Sequence, residues 1–323
     1  MPFKHNAARR RHIPKGRYRV QNRPAYEAGL KRRGDLTLWL DEDALIGWQA
    51  PRRGTPGGQA WYSDAAIELV LMLRLVFHLA LRQAEGFATS VLRLLKQTLR
   101  VPDHTTLSRR SRSFARRQPK VTPNRPLHLV IDSIGLKLFG QGEWDAEKHG
   151  RTRRSWRKLH LAVNAGTGEI AACHLTGNAT DDAGQVPVLL ELIKGEIASL
   201  TADGAHDGEP VYQAIASHQP DSSPEVVIPP RVSAVPSTES AEAQNQRDRN
   251  IRLIAEKGRS AWQKATGYGR RSLAETAVGR YKSIIGPKLR ARSLLTQQGE
   301  AATAAEVLNR MIRVAKPISI RVG

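Results

Sequence analysis

The stretch LHLVIDSI, residues 127–134, decides how the rest of this chain is read. It is short, apolar and rich in β-branched side chains, so it predicts a buried strand. Asp132 breaks that pattern. A carboxylate inside a buried strand is costly unless something compensates it, and the plain alternative is an edge-strand Asp facing water. Two further strands are predicted over 158–163 and 169–175, separated by Asn164-Ala165-Gly166-Thr167-Gly168. That separator is turn chemistry and predicts an antiparallel hairpin. Beyond it, 181–197 reads as a helix, 198–202 as a strand, 209–218 as a helix and 226–228 as a last short strand before Pro229-Pro230.

Three antiparallel strands followed by β-α-β units describe an α/β fold in the order of a ribonuclease-H-like core, a mixed sheet flanked by helices. That core would occupy 126–323, interrupted by a polar insertion at about 231–257. The helical pattern returns over 270–285, where Gly286-Pro287 stops it, and a final helix is predicted over 300–314. Upstream, Ser63-Asp64 can cap a helix carrying Ile67, Val70, Leu71, Leu73 and Leu75. A second helix is predicted over 88–99, and a third, rich in Arg, opens at Thr105. Three short helices with a basic last one set 61–125 apart as a helical, helix-turn-helix-like DNA-binding domain. Residues 1–60 are left as a basic N-terminal arm. Its first 33 residues carry 11 Lys or Arg against one Glu and are expected to stay mobile until they meet phosphates.

Over 323 residues, 51 Lys and Arg oppose 30 Asp and Glu, a formal net charge of +21 at pH 7. At 40% hydrophobic residues the chain can bury an ordinary core, so the charge is not that of a disordered tail and points to a polyanion. The longest apolar stretch, 65–81, is broken by Glu68, Arg74 and His78 and is too interrupted to span a membrane. The opening MPFKHNAARRRH has no apolar segment of a secretory signal. The lone Cys173 excludes an intrachain disulfide and an all-cysteine zinc site. No GxxxxGK[ST] loop is present to indicate a nucleotide cofactor. A cytoplasmic protein that handles nucleic acid is the expectation.

Two basic stretches are candidate DNA contacts. KHGRTRRSWRK, residues 148–158, holds six Lys or Arg and no acid, and would form a loop near Asp132 in which Trp156, Arg157 and Lys158 clamp DNA. The helix from Thr105 presents Arg109, Arg110, Arg112, Arg116 and Arg117. The alternatives are a solvated hairpin and a charged helix face. Histidines 149, 160, 174 and 206 lack metal-pair spacing, so structural roles are expected, with His206 and Asp207 nearest the acid at 203.

Cutting a phosphodiester with metal help requires hard oxygen ligands, which turns attention to isolated acids. Asp203 ends a predicted strand just before a helix, as a helix cap or as a ligand at a strand's carboxyl end. Glu275 lies within a predicted helix, where alone it would be an ordinary exposed residue. By spacing, Tyr268, Arg271 and Glu275 share one helix face, and Lys282 returns to it two turns later; Arg271 and Glu275 also make a plain i,i+4 ion pair. The segment YGRRSLAETAVGRYK, residues 268–282, fits Y-x2-R-x3-E-x6-K without a gap.

In this the chain resembles bacterial insertion-sequence transposases with a DDE catalytic triad, in the family usually numbered five. DSIGLKLFGQGEWDAEKHGRTRRSWRKLHLAV, residues 132–163, resembles that family's first-aspartate block, and ADGAHDG, residues 202–208, its second. DHTTLSRR, residues 103–110, resembles its N-terminal helical region. Ile134 stands where Thr is common and His206 where Tyr is common; neither departure removes a carboxylate.

The resemblance implies that Asp132, Asp203 and Glu275 bind two Mg²⁺ or Mn²⁺ ions, with Tyr268, Arg271 and Lys282 on the DNA. It implies hydrolysis at each transposon end, transfer of the 3′-hydroxyl to target DNA, a dimer or larger assembly on DNA, and a nucleoid-associated place in a bacterial cytoplasm. The alternatives are a nuclease that cuts without joining and a DNA-binding protein without catalysis.

Overall fold

The computed structural model describes residues 17–40, 42–121, 126–139, 156–237 and 245–322. In chain order its elements are β1 (Arg17–Val20), α1 (Arg23–Arg32), α2 (Glu42–Ile46), α3 (Asp64–Val76), α4 (Leu81–Leu94), α5 (His104–Arg110), β2 (Leu127–Leu138), β3 (Trp156–Asn164), β4 (Ile170–Gly177), α6 (Val186–Glu191), β5 (Ile197–Thr201), α7 (Glu209–His218), β6 (Glu225–Val227), α8 (Gln246–Ala265), α9 (Ser272–Arg280), β7 (Lys288–Leu289), α10 (Leu294–Val314) and β8 (Ser319–Val322).

The main sheet has the order β4-β3-β2-β5-β6, with β7 beside the far end of β2. β2, β3 and β4 are antiparallel, whereas β5, β6 and β7 run parallel to their neighbours. Because side chains alternate along a strand, β2 sends Ile134 and Leu136 to one face and Leu127, Leu129 and Ile131 to the other. The first set packs with Leu159, Leu161, Cys173 and Leu175 against α3, α9 and α10. The second packs with Ala162 and Ala172 against α6 and α7. A sheet covered on both faces explains why its central strand reads as a continuous apolar run.

The hairpin forms as its turn residues predict, with Gly168 at φ +78°. β5, α7 and β6 also lie within a residue of their expected positions. Other elements differ. β2 runs to Leu138 rather than 134, because β3 and β7 pair with its far end. The helix expected over 181–197 is only the 3-10 turn Ala183–Gln185 and α6. α8 forms across the end of the span read as a polar insertion and runs on past it, broken at Gly258 (φ 78°) and anchored by fully buried Trp262 and Asp248. α10 begins six residues earlier than expected, capped reciprocally by Ser293 and Thr296.

The arm expected to be mobile is built into the fold from residue 17 onward. β1 pairs antiparallel with β8, and α1 lies on the end of α10, where Arg33 donates to the Met311 and Ala315 carbonyls at 3.1 and 2.6 Å. Trp39 and Trp48 are buried; residues 1–16 lie outside the described residues. Three upstream helices form, but the second starts seven residues earlier than expected and ends at Leu94, with Gln83 capping it at the Ala80 N–H, and the third is α5 followed by a 3-10 turn, Ser111–Arg116. They share one apolar cluster with α10 and the sheet. Among the described residues no helix is long and apolar enough to cross a membrane.

Candidate active site

The parallel pairing of β2 with β5 sets the site. Its last register position is Val130 opposite Thr201, and two residues farther along each chain stand Asp132 and Asp203. The two acids therefore come at the same height, and the two-residue period puts them on one side of the sheet. β5 ends at Thr201 and β7 joins β2 only at Lys137. Among the described residues that edge of β2 has no strand partner between, which leaves a notch at the carboxyl ends of parallel strands, where open α/β sheets place ligands. Asp132 is thus on the central strand, not on an edge, and pairs on its other side with Leu161.

Each Asp has one oxygen fixed. Asp132 Oδ1 accepts the Ser133 N–H at 2.8 Å, and Asp203 Oδ1 accepts the Ala205 N–H at 3.0 Å and faces His206 Nδ1 at 2.8 Å. The helix-cap reading of Asp203 is thus realised as well, since it caps the 3-10 turn Gly204–His206. The other oxygens, Asp132 Oδ2 and Asp203 Oδ2, lie 3.5 and 4.0 Å from Arg271 Nη2. From its other amino group, Nη1, Arg271 donates to Glu275 Oε1 at 2.7 Å. One guanidinium joins all three acids. Side-chain exposure rises from 17% at Asp132 through 37% at Asp203 to 62% at Glu275, so the helix acid is the most open to solvent, held among the described residues by Arg271 alone.

Electrostatics follow from that burial. Burial pushes the Asp132 carboxyl above the usual range, the Asp203 charge adding to it while the Ser133 N–H and Arg271 oppose. Asp203 is held low, first by the hydrogen bond from His206 and then by its charge, the Ala205 N–H and Arg271, against the effect of burial. Burial alone would lower Arg271; the surrounding Asp132, Asp203 and Glu275 charges and Tyr268 raise it instead.

Among the described residues no three His, Cys, Asp or Glu side chains stand together as a metal site. The donors themselves fit a hard divalent cation: two carboxylates on neighbouring parallel strands, one within β2 and one just past the end of β5, each with one oxygen anchored and one directed at a positive charge. In this arrangement Arg271 supplies that charge.

The structure places the other expected site residues less uniformly. Tyr268 and Arg271 sit on a 3-10 turn, Tyr268–Arg271, that leads into α9, and the Tyr268 ring lies 5.2 Å from that of Trp262. Lys282 is exposed on a π turn, Tyr281–Ile285, and among the described residues none of the three acids pairs with it. Trp156, Arg157 and Lys158 are not loop residues but the first three of β3. Trp156 lies over Gly135, Arg157 Nε donates to Gln297 at 3.1 Å, and Lys158 Nζ donates to the Thr180 carbonyl at 2.8 Å. Residues 148–155 lie outside the described residues. Arg109 is exposed, whereas Arg110 pairs with Asp64 and donates to the Tyr62 carbonyl at 3.2 Å. His160 and His174 are bonded to Thr176 and Gln185, as structural histidines would be.

Three residues near the site are tied together, and two of them, Arg231 and Arg247, carry no signal in the sequence. Asp207, four positions past Asp203, is buried and accepts from Arg247 Nε at 2.8 Å and from the Arg231 N–H at 2.8 Å. The Arg231 guanidinium returns to the Gly204 and Ala205 carbonyls at 3.4 and 3.1 Å, closing a brace around the turn that carries Asp203. Arg247 lies in a stretch too polar to suggest a helix, and nothing local marks Arg231.

Residues 123–310 match a family described as a transposase DDE domain, and residues 31–141 match a second family of the same description. The first match spans all three acids, Arg271 and every strand of the main sheet.

Proposed function

Because the chain belongs to the transposase DDE family, which makes it a catalytic transposase acting on DNA, we propose that Asp132, Asp203 and Glu275 are its catalytic carboxylates. The observation that carries this reading is the matched height of Asp132 and Asp203 on two parallel strands, with Arg271 joining both to Glu275. The strand order supports a ribonuclease-H-like core, and the unbroken 268–282 signature supports the insertion-sequence family numbered five.

Asp132, Asp203 and Glu275 would hold two Mg²⁺ or Mn²⁺ ions. Such ions acidify bound water and neutralise charge on the attacked phosphate. The protein's own groups do the rest. The Ser133 and Ala205 N–H groups hold the inner carboxylates in one orientation, so their free oxygens need no reordering. Arg271 balances the acids until DNA arrives and then turns to a backbone phosphate, which releases Glu275 toward the Asp pair. Tyr268 braces that turn against Trp262. Lys282 and Arg109, both exposed, are cations available to the DNA backbone. Arg110, Arg157 and Lys158 are tied to protein partners, and any DNA contact of theirs or of Trp156 is made from those ties.

The reaction is hydrolysis at the ends of an insertion sequence followed by transfer of the exposed 3′-hydroxyl to target DNA. Two ends require two active sites, hence at least a dimer on DNA. The test is incubation with Mg²⁺ and DNA carrying the element's ends, for wild type and for Asp132→Asn, Asp203→Asn and Glu275→Gln. Each variant is expected to bind the ends and yield no cleaved strand. Cleavage retained by any one removes that residue from the triad, and cleavage without joined products in wild type supports a nuclease instead.

A further inference from the structure

A second positively charged site lies away from the carboxylates. A cavity of about 440 Å³ opens between α3, α5 and the segment joining β7 to α10. Arg74, Arg112, Arg290 and Arg292 line it, and the N-terminal end of the 21-residue α10 faces it at Ser293 and Thr296. Four arginines in one pocket repel each other unless acids or an anion balance them. Only Glu300 among the lining residues is acidic, and it accepts the Arg290 N–H at 3.0 and 3.2 Å and the Ala291 N–H at 2.7 Å.

The arginines differ in what holds them. Arg290 is fixed, donating to the His78 and Leu79 carbonyls at 2.6 and 3.1 Å. Neutral carbonyls orient its charge without cancelling it. The Nε of Arg74 is sealed from solvent and has no hydrogen-bond partner. Burial and the neighbouring Arg290 charge both lower the Arg74 pKa, with Glu300 opposing them. Arg112 and Arg292 are exposed at the rim and have no acidic partner among the described residues. Ser108 and Ser111 also line it, the Ser111 hydroxyl donating to the Ser108 carbonyl at 2.8 Å. The positive end of the α10 dipole adds to a field that favours an anion.

We propose that this cavity binds a phosphate group, with Arg74 and Arg290 as its floor and Arg112 and Arg292 as its clamp. Two sources share that chemistry, a DNA backbone phosphate and a small phosphorylated molecule. The position is compatible with DNA running on from the active site. β7, which leads into the cavity segment, pairs with Lys137 and Leu138 of the strand that carries Asp132, six residues earlier. Six residues of extended strand span about 20 Å, roughly six nucleotide steps at 3.4 Å per strand. The DNA alternative rests on the proposed use of DNA; the phosphate site itself does not.

The test is a double variant, Arg112→Gln with Arg292→Gln, which removes two rim charges and leaves the floor in place. Wild type and variant are titrated with inorganic pyrophosphate at constant ionic strength while the unfolding temperature is followed. In parallel, the affinity for a random-sequence duplex is measured against salt. A pyrophosphate-dependent rise in wild type that the variant loses establishes the site. A fall in the salt slope of DNA binding by about 1 to 2, near 0.9 for each phosphate no longer neutralised, identifies DNA as the source. An unchanged slope beside a lost pyrophosphate effect identifies a small molecule. No pyrophosphate effect in wild type together with an unchanged slope, or an effect that survives in the variant, overturns the proposal. Neither readout needs cleavage, so repeating both with Asp132→Asn protein separates failure of this site from failure of the carboxylate reading.

Discussion

Replacing Arg247 by Met tests whether the brace behind Asp203 holds the site in shape. Asp207 has 0% side-chain exposure and Arg247 16%, with contacts of 2.8 and 3.3 Å between them. Arg247→Met keeps most of the aliphatic length and leaves the Asp207 carboxylate buried with only the Arg231 N–H to balance it. Breaking a buried pair from one side costs about 3–5 kcal/mol, because the remaining charge is uncompensated. For 323 residues, an unfolding entropy of about 2.1 cal/mol/K per residue sums to roughly 0.7 kcal/mol/K. A loss of about 4 kcal/mol then lowers the melting temperature by roughly 6 °C. The same change loosens the turn that Arg231 ties to Gly204 and Ala205. Scanning calorimetry should show the drop, and single-turnover cleavage should slow while DNA affinity stays near wild type. A fall below about 1 °C, or unchanged cleavage beside a large fall, would refute the argument that this pair positions Asp203.

His160 gives the stability a pH dependence. Burial lowers its pKa from 6.5 to about 4, with Asp182 opposing. The unfolded chain therefore binds the extra proton first, and stability present above pH 6.5 declines as pH falls toward 4, by up to about 3 kcal/mol. His160→Gln should flatten the denaturant midpoint across that window, and an equally steep curve in the variant would contradict the assignment. Two helix glycines should respond oppositely to Ala. At Gly299 a Cβ would collide with the Ser111 carbonyl, so Gly299→Ala should cost about 1–3 kcal/mol. At Gly86 nothing lies within 4 Å, so Gly86→Ala should stabilise by about 0.5–1 kcal/mol. Thermal melts of both variants decide whether α10 and the Ser111–Arg116 turn are in such close contact.

Much of the fold was legible locally. The hairpin announced itself in Asn164–Gly168, and α7 in a well-bounded apolar pattern. α8 was hidden because a helix held by Trp262, with Asp248 and Asn250 buried beside it, leaves no apolar stripe to read. The first turns of α10 were hidden for a different reason. There the apolar Leu294 and Leu295 are exposed while the polar Gln297 is buried, so the pattern is inverted. The β1–β8 pair joins residues 17–20 to 319–322, and no short-range pattern encodes such a partner.

For the site, the sequence by itself offered Asp132, Asp203 and Glu275 as candidate acids, the Arg271–Glu275 spacing and the placing of Asp203 at a strand's end. Residue type and short-range spacing supply those candidates, and the resemblance to the transposase family joins them into one proposed set. Only the tertiary structure decided that Asp132 lies on a central strand, that the Val130–Thr201 register lifts Asp132 and Asp203 to one height, and that Arg271 joins them to Glu275. The same is true of Trp156–Lys158, basic and loop-like as a string yet strand residues once β3 pairs with β2. The physical reason is that strand register, burial and the partner of a long cationic side chain are set by contacts between segments far apart in the chain.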